Sequence, residues 1–263
     1  MIELLSPRNP RVARVRELTR DRAARAESGL SVLEGIRLAE EALSASVAME
    51  YALCSEQLTR KDRGAALLGA LEAAGVAVHP VAEETLAKVA DTQSPQGIVA
   101  VFRPRTWTLA AIPRGLVVVL DNVQDPGNLG TVVRSLEALG GAGLVMAGGV
   151  DPTAPKVVRA SMGSLFRLPV VQGEIGAVLT GLKAQGRRIY VADAGGDLAP
   201  WTARLDADAV LVIGNEGAGP SETARTMADG VISIPMPGPT ESLNAGVAAS
   251  LLIYEALRQR HNV

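Results

Sequence analysis

Strand-like and helix-like patterns of apolar residues alternate along the whole chain. In the first part, short apolar runs alternate with segments of helical spacing, which is typical of a small α/β layer structure. There the strands are predicted over 47–54, 76–81 and 96–102, and the helices over 8–28, 34–43, 63–74 and 83–90.

A segment without clear periodicity interrupts this alternation at 103–115, where prolines stand at 104 and 113. We therefore predict a domain over 1–105, a linker over 106–114 and a second domain over 115–263. The strands of the second domain are apolar almost throughout: GLVVVL, GLVMAGG, RIYVADA, AVLVIG and GVISIP. Such runs between helices predict a parallel sheet covered on both faces.

Three of these strands run into polar turns, DPGNLGTVVR (125–134), GNEGAG (214–219) and the segment that ends in Ser242-Leu243-Asn244. Asn128 is predicted to cap a helix, and Arg134 lies off the apolar side of that helix. A final helix is predicted from an apolar stripe with helical spacing, formed by Leu243, Val247, Leu251, Tyr254 and Leu257. Each turn alone is explained by capping or by a tight connection. Together they lie where parallel sheets place ligands, at the carboxyl ends of strands.

The composition of the chain excludes several kinds of metal and cofactor site. The chain has 263 residues, one cysteine, two histidines and a net charge of −2. Zinc-site spacing is absent, no intrachain disulfide can form, and a reducing cytoplasm is expected. There is neither a secretory signal nor an apolar stretch long enough to cross a bilayer. The dinucleotide fingerprint and the P-loop are absent too, which argues against a nucleotide-cofactor dehydrogenase.

Charge is unevenly placed, because residues 1–27 hold seven arginines against four acidic residues. A solvated helix face is one interpretation, and a basic arm that contacts RNA phosphates is the other. Only seven aromatic residues occur in the chain, so an RNA contact should depend on phosphates and shape more than on base stacking.

The three turns, in their order and spacing, resemble motifs 1, 2 and 3 of the SpoU/TrmH RNA 2'-O-methyltransferases of the SPOUT superfamily, over roughly residues 115–260. KVVRASMGSLFRLPV (156–170) resembles a further family stretch. Residues 1–105, through SPRNPRVARVREL, LEGIRLAEEAL and QGIVAV, resemble the L30e-like RNA-binding domain that precedes the catalytic domain in many members. Gly246 and Pro220 depart from the family, which often has serine and a larger apolar residue there.

The resemblance implies an L30e-like α/β domain followed by an α/β parallel-sheet SPOUT domain with a deep C-terminal trefoil knot. It also implies a homodimer in the cytoplasm and S-adenosylmethionine as methyl donor, with no metal and no membrane. The cofactor-binding positions are Ile213, Gly214, Gly217, Ile234, Met236 and Leu243. The catalytic positions are Asn128, Arg134, Glu216, Ser242 and Asn244, and the RNA-binding positions are Arg8, Arg11, Arg14, Arg22 and Arg37.

The implied reaction is methylation of a ribose 2'-hydroxyl. A guanidinium stays protonated, so we expect Arg134 to hold the adjacent phosphate and stabilise developing alkoxide charge, with the proton leaving to that phosphate or to water. Ribosomal RNA is the expected substrate. A methyltransferase that modifies ribosomal RNA to confer antibiotic resistance is a narrower form of the same hypothesis. A tRNA 2'-O-methyltransferase and a non-catalytic RNA-binding or ribosome-assembly protein on the same fold remain the alternatives.

Overall fold

The computed structural model describes residues 4–261, which form two compact units. Unit 1 comprises the described residues up to Arg105 together with Thr153–Phe166, and unit 2 comprises Thr106–Pro152 and the described residues from Arg167 onward. Unit 1 thus contains a segment that the sequence placed in the second domain. The predicted domain limits themselves stay a prediction.

The helices and strands follow one another in the order expected of α/β units. The helices are α1 (Pro10–Arg20), α2 (Arg22–Ser28), α3 (Ile36–Ser44), α4 (Asp62–Ala73), α5 (Glu83–Val89), α6 (Pro126–Ala138), α7 (Pro155–Ala160), α8 (Ile175–Ala184), α9 (Glu222–Met227) and α10 (Ala245–His261). The strands are β1 (Ser31–Glu34), β2 (Met49–Cys54), β3 (Ala77–Pro80), β4 (Ile98–Phe102), β5 (Val117–Asp121), β6 (Gly143–Ala147), β7 (Val170–Gln172), β8 (Arg188–Ala192), β9 (Ala209–Ile213) and β10 (Gly230–Ile232). Short 3-10 helices lie at Glu56–Arg60, Leu109–Ala111 and Ser164–Phe166.

Unit 1 is built on a four-stranded mixed sheet in the order β1-β4-β2-β3. β4 pairs antiparallel with β1 and β2, and β2 pairs parallel with β3. Its two faces carry separate apolar clusters, one of which includes Val12, Val15 and Leu18 of α1. Strand β1 was not predicted, because its four residues are too few to form a recognisable alternation.

The arginine-rich segment predicted as one helix over 8–28 forms two helices. Asn9 caps α1 by accepting a hydrogen bond from the Arg11 N–H at 2.9 Å, and Pro10 occupies the first turn. Asp21 has extended backbone angles and accepts from the Ala23 N–H at 2.8 Å, so it ends α1 and caps α2. An aspartate offers this local bond wherever the backbone turns outward, and helical spacing alone does not reveal it.

Unit 2 is built on a six-stranded sheet in the order β10-β8-β9-β5-β6-β7. Every pair is parallel, and β5, β6 and β9 are buried over their full length. This confirms the parallel sheet predicted from continuous apolar runs. The carboxyl ends of its strands share one edge, which brings the loops after β5 and β9 together.

The predicted linker over 106–114 packs into unit 2. Ile112 is buried in the unit 2 core, and the guanidinium of the buried Arg187 donates to the carbonyls of Pro113 and Gly115, each at 2.6 Å. Burial lowers the pKa of Arg187. The prolines interrupt the helical and strand-like spacing of apolar residues in this segment, but the segment still packs against the core of unit 2.

Helix α10 has two apolar sides, and the sequence analysis singled out the outer one. Leu243 precedes the helix, and with Val247, Leu251 and Tyr254 it is 36–58% exposed. The side of α10 that contacts α6 is formed by small and branched residues, among them Gly246, Ala249, Leu252, Ile253 and Ala256. Helical spacing cannot tell which of two apolar sides meets a neighbour.

Candidate active site

The turn after β5 and the loop after β9 are joined by hydrogen bonds through Glu216. The Asn128 side-chain amide donates to Glu216 Oε1 at 2.9 Å, and the backbone N–H groups of Asp125 and Gln124 donate to the same carboxylate at 3.0 and 3.1 Å. Asn128 is buried, and its Oδ1 has no hydrogen-bond partner among the described residues. The first two polar turns therefore form one assembly that leaves an amide oxygen able to accept.

Asp125, not Asn128, caps α6. Asp125 Oδ1 accepts from the Asn128 N–H at 2.8 Å, and Pro126 is the first residue of the helix. The predicted capping role of Asn128 was wrong: the cap lies three residues earlier, and the sequence could not separate the two because both residue types are good caps. Asn128 is thereby released to bind Glu216 with its side chain.

The loop after β9 is built around Gly214 and Asn215. Asn215 Nδ2 donates to the Asn122 carbonyl at 2.9 Å, and its Oδ1 accepts from the N–H groups of Gly217 and Ala218, each at 2.9 Å. A Cβ on Gly214 would lie 2.1 Å from the Pro220 nitrogen, so the turn closes only with glycine there. The sequence analysis did not single out Asn215, although it stands inside the second motif.

A cavity of about 470 Å³ lies beside this loop, entirely within unit 2. All six positions predicted for the cofactor line it: Ile213, Gly214, Gly217, Ile234, Met236 and Leu243. Glu216, Ser242 and Asn244 line it as well. Their roles stay predictions, but the fold places these separated segments around a single space.

The segment before α10 forms a further part of the cavity wall. Asn244 Oδ1 accepts from the Val247 N–H at 3.2 Å, so Asn244 caps α10, while Ser242 is exposed. A Cβ on Gly246 would lie 3.3 Å from the Asn128 Cα and 3.2 Å from Asn244 Oδ1. The start of α10 therefore meets α6 at Asn128.

Arg134 is placed differently from the other predicted catalytic residues. It is exposed on α6 and is not part of the cavity wall. Its guanidinium makes no hydrogen bond or ion pair with residues 4–261. The structure thus leaves this cation available to a ligand outside the described chain.

The cavity wall also contains Asp193, which the sequence analysis missed. Its Oδ2 accepts from Arg225 at 2.6 Å, and its Oδ1 accepts from the Gly195 N–H at 2.8 Å. Burial raises the pKa of Asp193, but these two hydrogen bonds together with the positive charge of Arg225 outweigh burial and lower the pKa overall. Asp193 follows β8 directly, so the rule that ligands lie at carboxyl ends of strands could have found it.

Two features are absent from the part of the chain that the structure describes. Between residues 4 and 261, no helix is both long and apolar enough to cross a bilayer. That same stretch brings together no group of three or more histidine, cysteine, aspartate and glutamate side chains able to hold a metal ion.

Glu216 should make stability depend on pH. Burial raises its pKa, but the hydrogen bonds from Asn128, Asp125 and Gln124 hold the pKa below the ordinary 4.5. A carboxylate with a lowered folded pKa stabilises fully above its unfolded pKa and loses that contribution as pH falls through the folded value. We expect the stability difference between wild type and Glu216→Gln to shrink toward acid.

Urea unfolding of both proteins between about pH 3.5 and about pH 6.5 measures this, a range that brackets the ordinary glutamate pKa. A second variant, Glu222→Gln, removes an exposed carboxylate from the first turn of α9 and serves as a control. A difference between wild type and Glu216→Gln that stays constant over the range would contradict the assignment.

Both parts of the chain match known protein families. Residues 115–254 match the SpoU rRNA methylase family, and residues 9–100 match the MRM3-like substrate binding domain. The chain is 33% identical to the 23S rRNA (uridine(2479)-2'-O)-methyltransferase of Streptomyces viridochromogenes, over 97% of this chain and 92% of that protein. It is 32% identical to the 23S rRNA (guanosine(2553)-2'-O)-methyltransferase RlmP of Bacillus subtilis, over 97% and 98%.

The fold agrees as well. The crystal structure of the SpoU methyltransferase AviRb from Streptomyces viridochromogenes, in complex with the cofactor AdoMet, superposes with a TM-score of 0.87 at 32% identity, covering 97% of this chain and 100% of that one. The resemblance inferred from three polar turns is confirmed by family, relatives and structure together. On this evidence the chain belongs to the SpoU rRNA methylase family.

Proposed function

We propose that the protein transfers a methyl group from S-adenosylmethionine to a ribose 2'-hydroxyl of ribosomal RNA, within 23S rRNA. The single observation that carries this proposal is the unit 2 cavity, because six cofactor positions and three polar positions from separated segments of the chain all line it. Membership of the SpoU family and the activities named for two relatives support the same function.

The cavity fits S-adenosylmethionine in size and chemistry. Its volume of about 470 Å³ lies in the ordinary range for small-molecule sites. Ile213, Ile234 and Leu243 give it apolar walls, and the carboxylates of Asp193 and Glu216 suit a molecule that carries ammonium and sulfonium charges. When bound, the cofactor supplies a methyl group already activated on sulfonium.

The residues of the chain then have to bind the RNA and manage one proton. Arg134 binds the phosphate beside the reacting ribose and stabilises negative charge that develops on the 2'-oxygen. Asn128, held through its Nδ2 by Glu216, offers its Oδ1 to the 2'-hydroxyl. Ser242 and Asn244 orient the ribose, where misplacement is costly. The proton passes to the phosphate or to water, since a guanidinium cannot accept it.

Ribosomal RNA is favoured over tRNA as substrate because both named relatives act on 23S rRNA. A non-catalytic role would not explain why Asn128, Arg134 and Glu216 all stand at the positions that the family resemblance makes catalytic. The decisive test is transfer of labelled methyl to in vitro transcribed 23S rRNA, with tRNA as the comparison and 2'-O-methyl mapping of the product. Transfer to tRNA alone, or to neither RNA, would overturn the proposal.

Unit 1 is proposed to bind RNA through the arginines at its amino-terminal end, namely Arg8, Arg11, Arg14 and Arg22, with Arg37 at the start of α3. Arg8, Arg11 and Arg22 are exposed, and Arg14 forms an exposed ion pair with Glu17 at 2.7 Å. Exposed pairs of this kind are worth little, so phosphate can displace Glu17. The match to a substrate-binding domain over 9–100 supports this assignment.

We expect the Arg11→Ala, Arg14→Ala, Arg22→Ala triple variant to bind 23S rRNA about tenfold or more weakly at moderate salt. The slope of log K against log salt should fall by roughly 2, because three phosphate contacts are lost. Filter binding over a salt series measures both. An Arg60→Ala, Arg103→Ala, Arg105→Ala variant removes three exposed charges elsewhere in unit 1 as a control. An unchanged slope would show that these arginines face solvent and do not contact RNA phosphates.

The protein is further proposed to be a homodimer that associates through the outer side of α10. Leu243, Val247, Leu251 and Tyr254 form one exposed apolar stripe, beginning at the cavity. Monomers rarely leave such a stripe in contact with water, and a two-fold symmetric dimer would cover it with its own copy.

Sedimentation should therefore give a dimer for wild type and mostly monomer for Leu251→Glu, which places a charge in the stripe. Thr180→Glu introduces the same charge on the exposed side of α8 and should stay dimeric. A monomeric wild type at micromolar concentration would contradict the dimer.

Three finer features complete the proposal. Unit 1 is assigned the L30e-like fold, and the protein is assigned to the cytoplasm. The carboxyl-terminal part of unit 2 is assigned a deep trefoil knot. In support of the knot, the chain leaves β10 at the sheet edge and returns, so that 234–245 lines the same cavity as the loop after β9.

A further inference from the structure

A second cavity lies wholly within unit 1 and has a volume of about 740 Å³. Its walls come from four segments: Glu34–Leu38 at the start of α3; Gln57, Leu58, Lys61 and Arg63 before and at the start of α4; Thr92, Gln93, Ser94 and Gln96 of the loop 92–96; and Arg159 with Met162. Apart from Arg37, none of these residues was a predicted RNA contact. The cavity belongs to the unit that matches a substrate-binding domain.

The walls are fixed by hydrogen bonds and by close backbone packing. Glu34 Oε2 accepts from the N–H groups of Asp91 and Thr92 at 2.8 and 3.2 Å, which holds the loop 92–96. The side-chain oxygen of Gln96 accepts from the Ile36 N–H at 3.1 Å. Gly97 has φ 84° and lies so close to Leu58 that a Cβ would be 2.4 Å from the Leu58 nitrogen. The cavity is therefore a built feature of the fold.

The charges around it favour an anion. Four of the lining residues are cations, and only Glu34, already bound to the loop, is an anion. Arg63 pairs with Glu40 and Arg159 pairs with Asp91. The hydrogen bond with Arg63, and to a smaller extent the charge of Arg37, lowers the pKa of the nearby Glu40 carboxyl. Arg37 and Lys61 are exposed, and their side chains have no hydrogen bond or ion pair with any residue in 4–261. Two cations thus remain for a ligand.

The other lining residues are unsuited to a bare phosphate. Ile36, Leu38, Leu58 and Met162 form an apolar wall, and the amides of three glutamines, Gln57, Gln93 and Gln96, stand around it. Apolar surface for a flat ring, amides for a base edge and cations for a phosphate are together the groups that recognise a nucleotide. Proteins read RNA mainly at unpaired nucleotides, whose edges and faces are exposed.

We propose that this unit 1 pocket holds one unstacked nucleotide of the RNA substrate, with its phosphate at Arg37 and Lys61 and its base between the apolar wall and the glutamine amides. This inference rests on the proposed function and narrows its substrate class. The RNA must present an unpaired nucleotide, in a loop or a bulge, in addition to the nucleotide that is methylated.

Two variants of the full chain test the pocket by different means. Ser94→Trp puts a large side chain at the cavity and leaves every charge in place. Arg37→Gln with Lys61→Gln removes the two unpaired cations and leaves the space open. Ser44→Trp, at an exposed position near the end of α3, and Arg60→Gln with Arg103→Gln, at exposed ion pairs, are the matched controls.

The probe is in vitro transcribed 23S rRNA, measured by filter binding over a salt series. We expect Ser94→Trp to weaken binding tenfold or more with an unchanged salt slope. The double charge variant should weaken binding and lower the slope by about 1.5, as two phosphate contacts are lost. With 4-thiouridine in the RNA, cross-linking and mass spectrometry should join one nucleotide to the 92–96 loop or Met162 in wild type and not in Ser94→Trp.

Each outcome decides the matter. Wild-type affinity and cross-linking in Ser94→Trp would overturn the pocket. If only the double charge variant loses RNA affinity, Arg37 and Lys61 contact the RNA backbone without a nucleotide in the cavity. That result would also overturn the pocket. Methyl transfer by wild type is measured separately, so absent transfer with pocket-dependent binding refutes only the proposed function. Absent RNA binding by wild type refutes both.

Discussion

Methyl transfer to RNA should fall about 10²-fold or more in Arg134→Ala, the scale of losing one preorganised charge-stabilising group. Arg134 is exposed on α6 and its guanidinium has no partner among residues 4–261, so its removal breaks no contact within the described chain. We therefore expect stability to change by no more than about 0.5 kcal/mol, with S-adenosylmethionine affinity nearly unchanged.

The measurement is single-turnover transfer of labelled methyl to 23S rRNA, beside thermal melts and cofactor titration of each variant. Arg134→Lys should recover only part of the rate, because an ammonium lacks the planar fork that binds phosphate in a bidentate manner. Arg188→Ala is the matched control, since Arg188 is exposed at the amino end of β8, opposite to the cavity edge. A wild-type rate of methyl transfer in Arg134→Ala would show that Arg134 is a surface residue of α6 with no role in catalysis.

Cofactor binding should be much weaker in Gly214→Ala than in wild type. The added Cβ would lie 2.1 Å from the Pro220 nitrogen and 2.2 Å from the Gly219 carbonyl carbon, both backbone atoms. Backbone cannot move aside as a flexible side chain does, so the loop that lines the cavity has to open. Overpacking of this kind costs about 1–3 kcal/mol, which corresponds to roughly a 5- to 150-fold weaker Kd if the strain acts on the bound conformation.

Gly238→Ala is the control for this experiment, because it adds the same methyl group at an exposed glycine that does not line the cavity. There no atom of the described chain beyond the neighbouring residues lies within 4 Å of the new Cβ. Calorimetric titration with S-adenosylmethionine should give a Kd close to wild type for Gly238→Ala and a much larger one for Gly214→Ala. Equal affinities in the two variants would show that the close approach at Gly214 does not shape the cofactor site.

The sequence by itself determined the parallel sheet of unit 2 and the edge at which its site lies. Continuous apolar runs such as 117–121 and 209–213 predict strands buried on both faces, and parallel strands end at a common edge. Polar residues in the turns and helix starts that follow those strands, among them Asn128 and Glu216, were therefore expected near one another. These are local patterns with one geometric consequence, so a linear sequence suffices to predict them.

Only the tertiary structure decided which neighbours each local pattern meets. The stripe of Val247, Leu251 and Tyr254 fits a buried helix face equally well, yet α10 places its opposite side against α6 and leaves the stripe exposed. Asn128 and Asp125 are equally good caps, and the choice between them follows from a hydrogen bond to Glu216, 88 residues away. Periodicity records the spacing within an element, whereas burial and hydrogen bonding depend on distant segments whose approach the fold alone fixes.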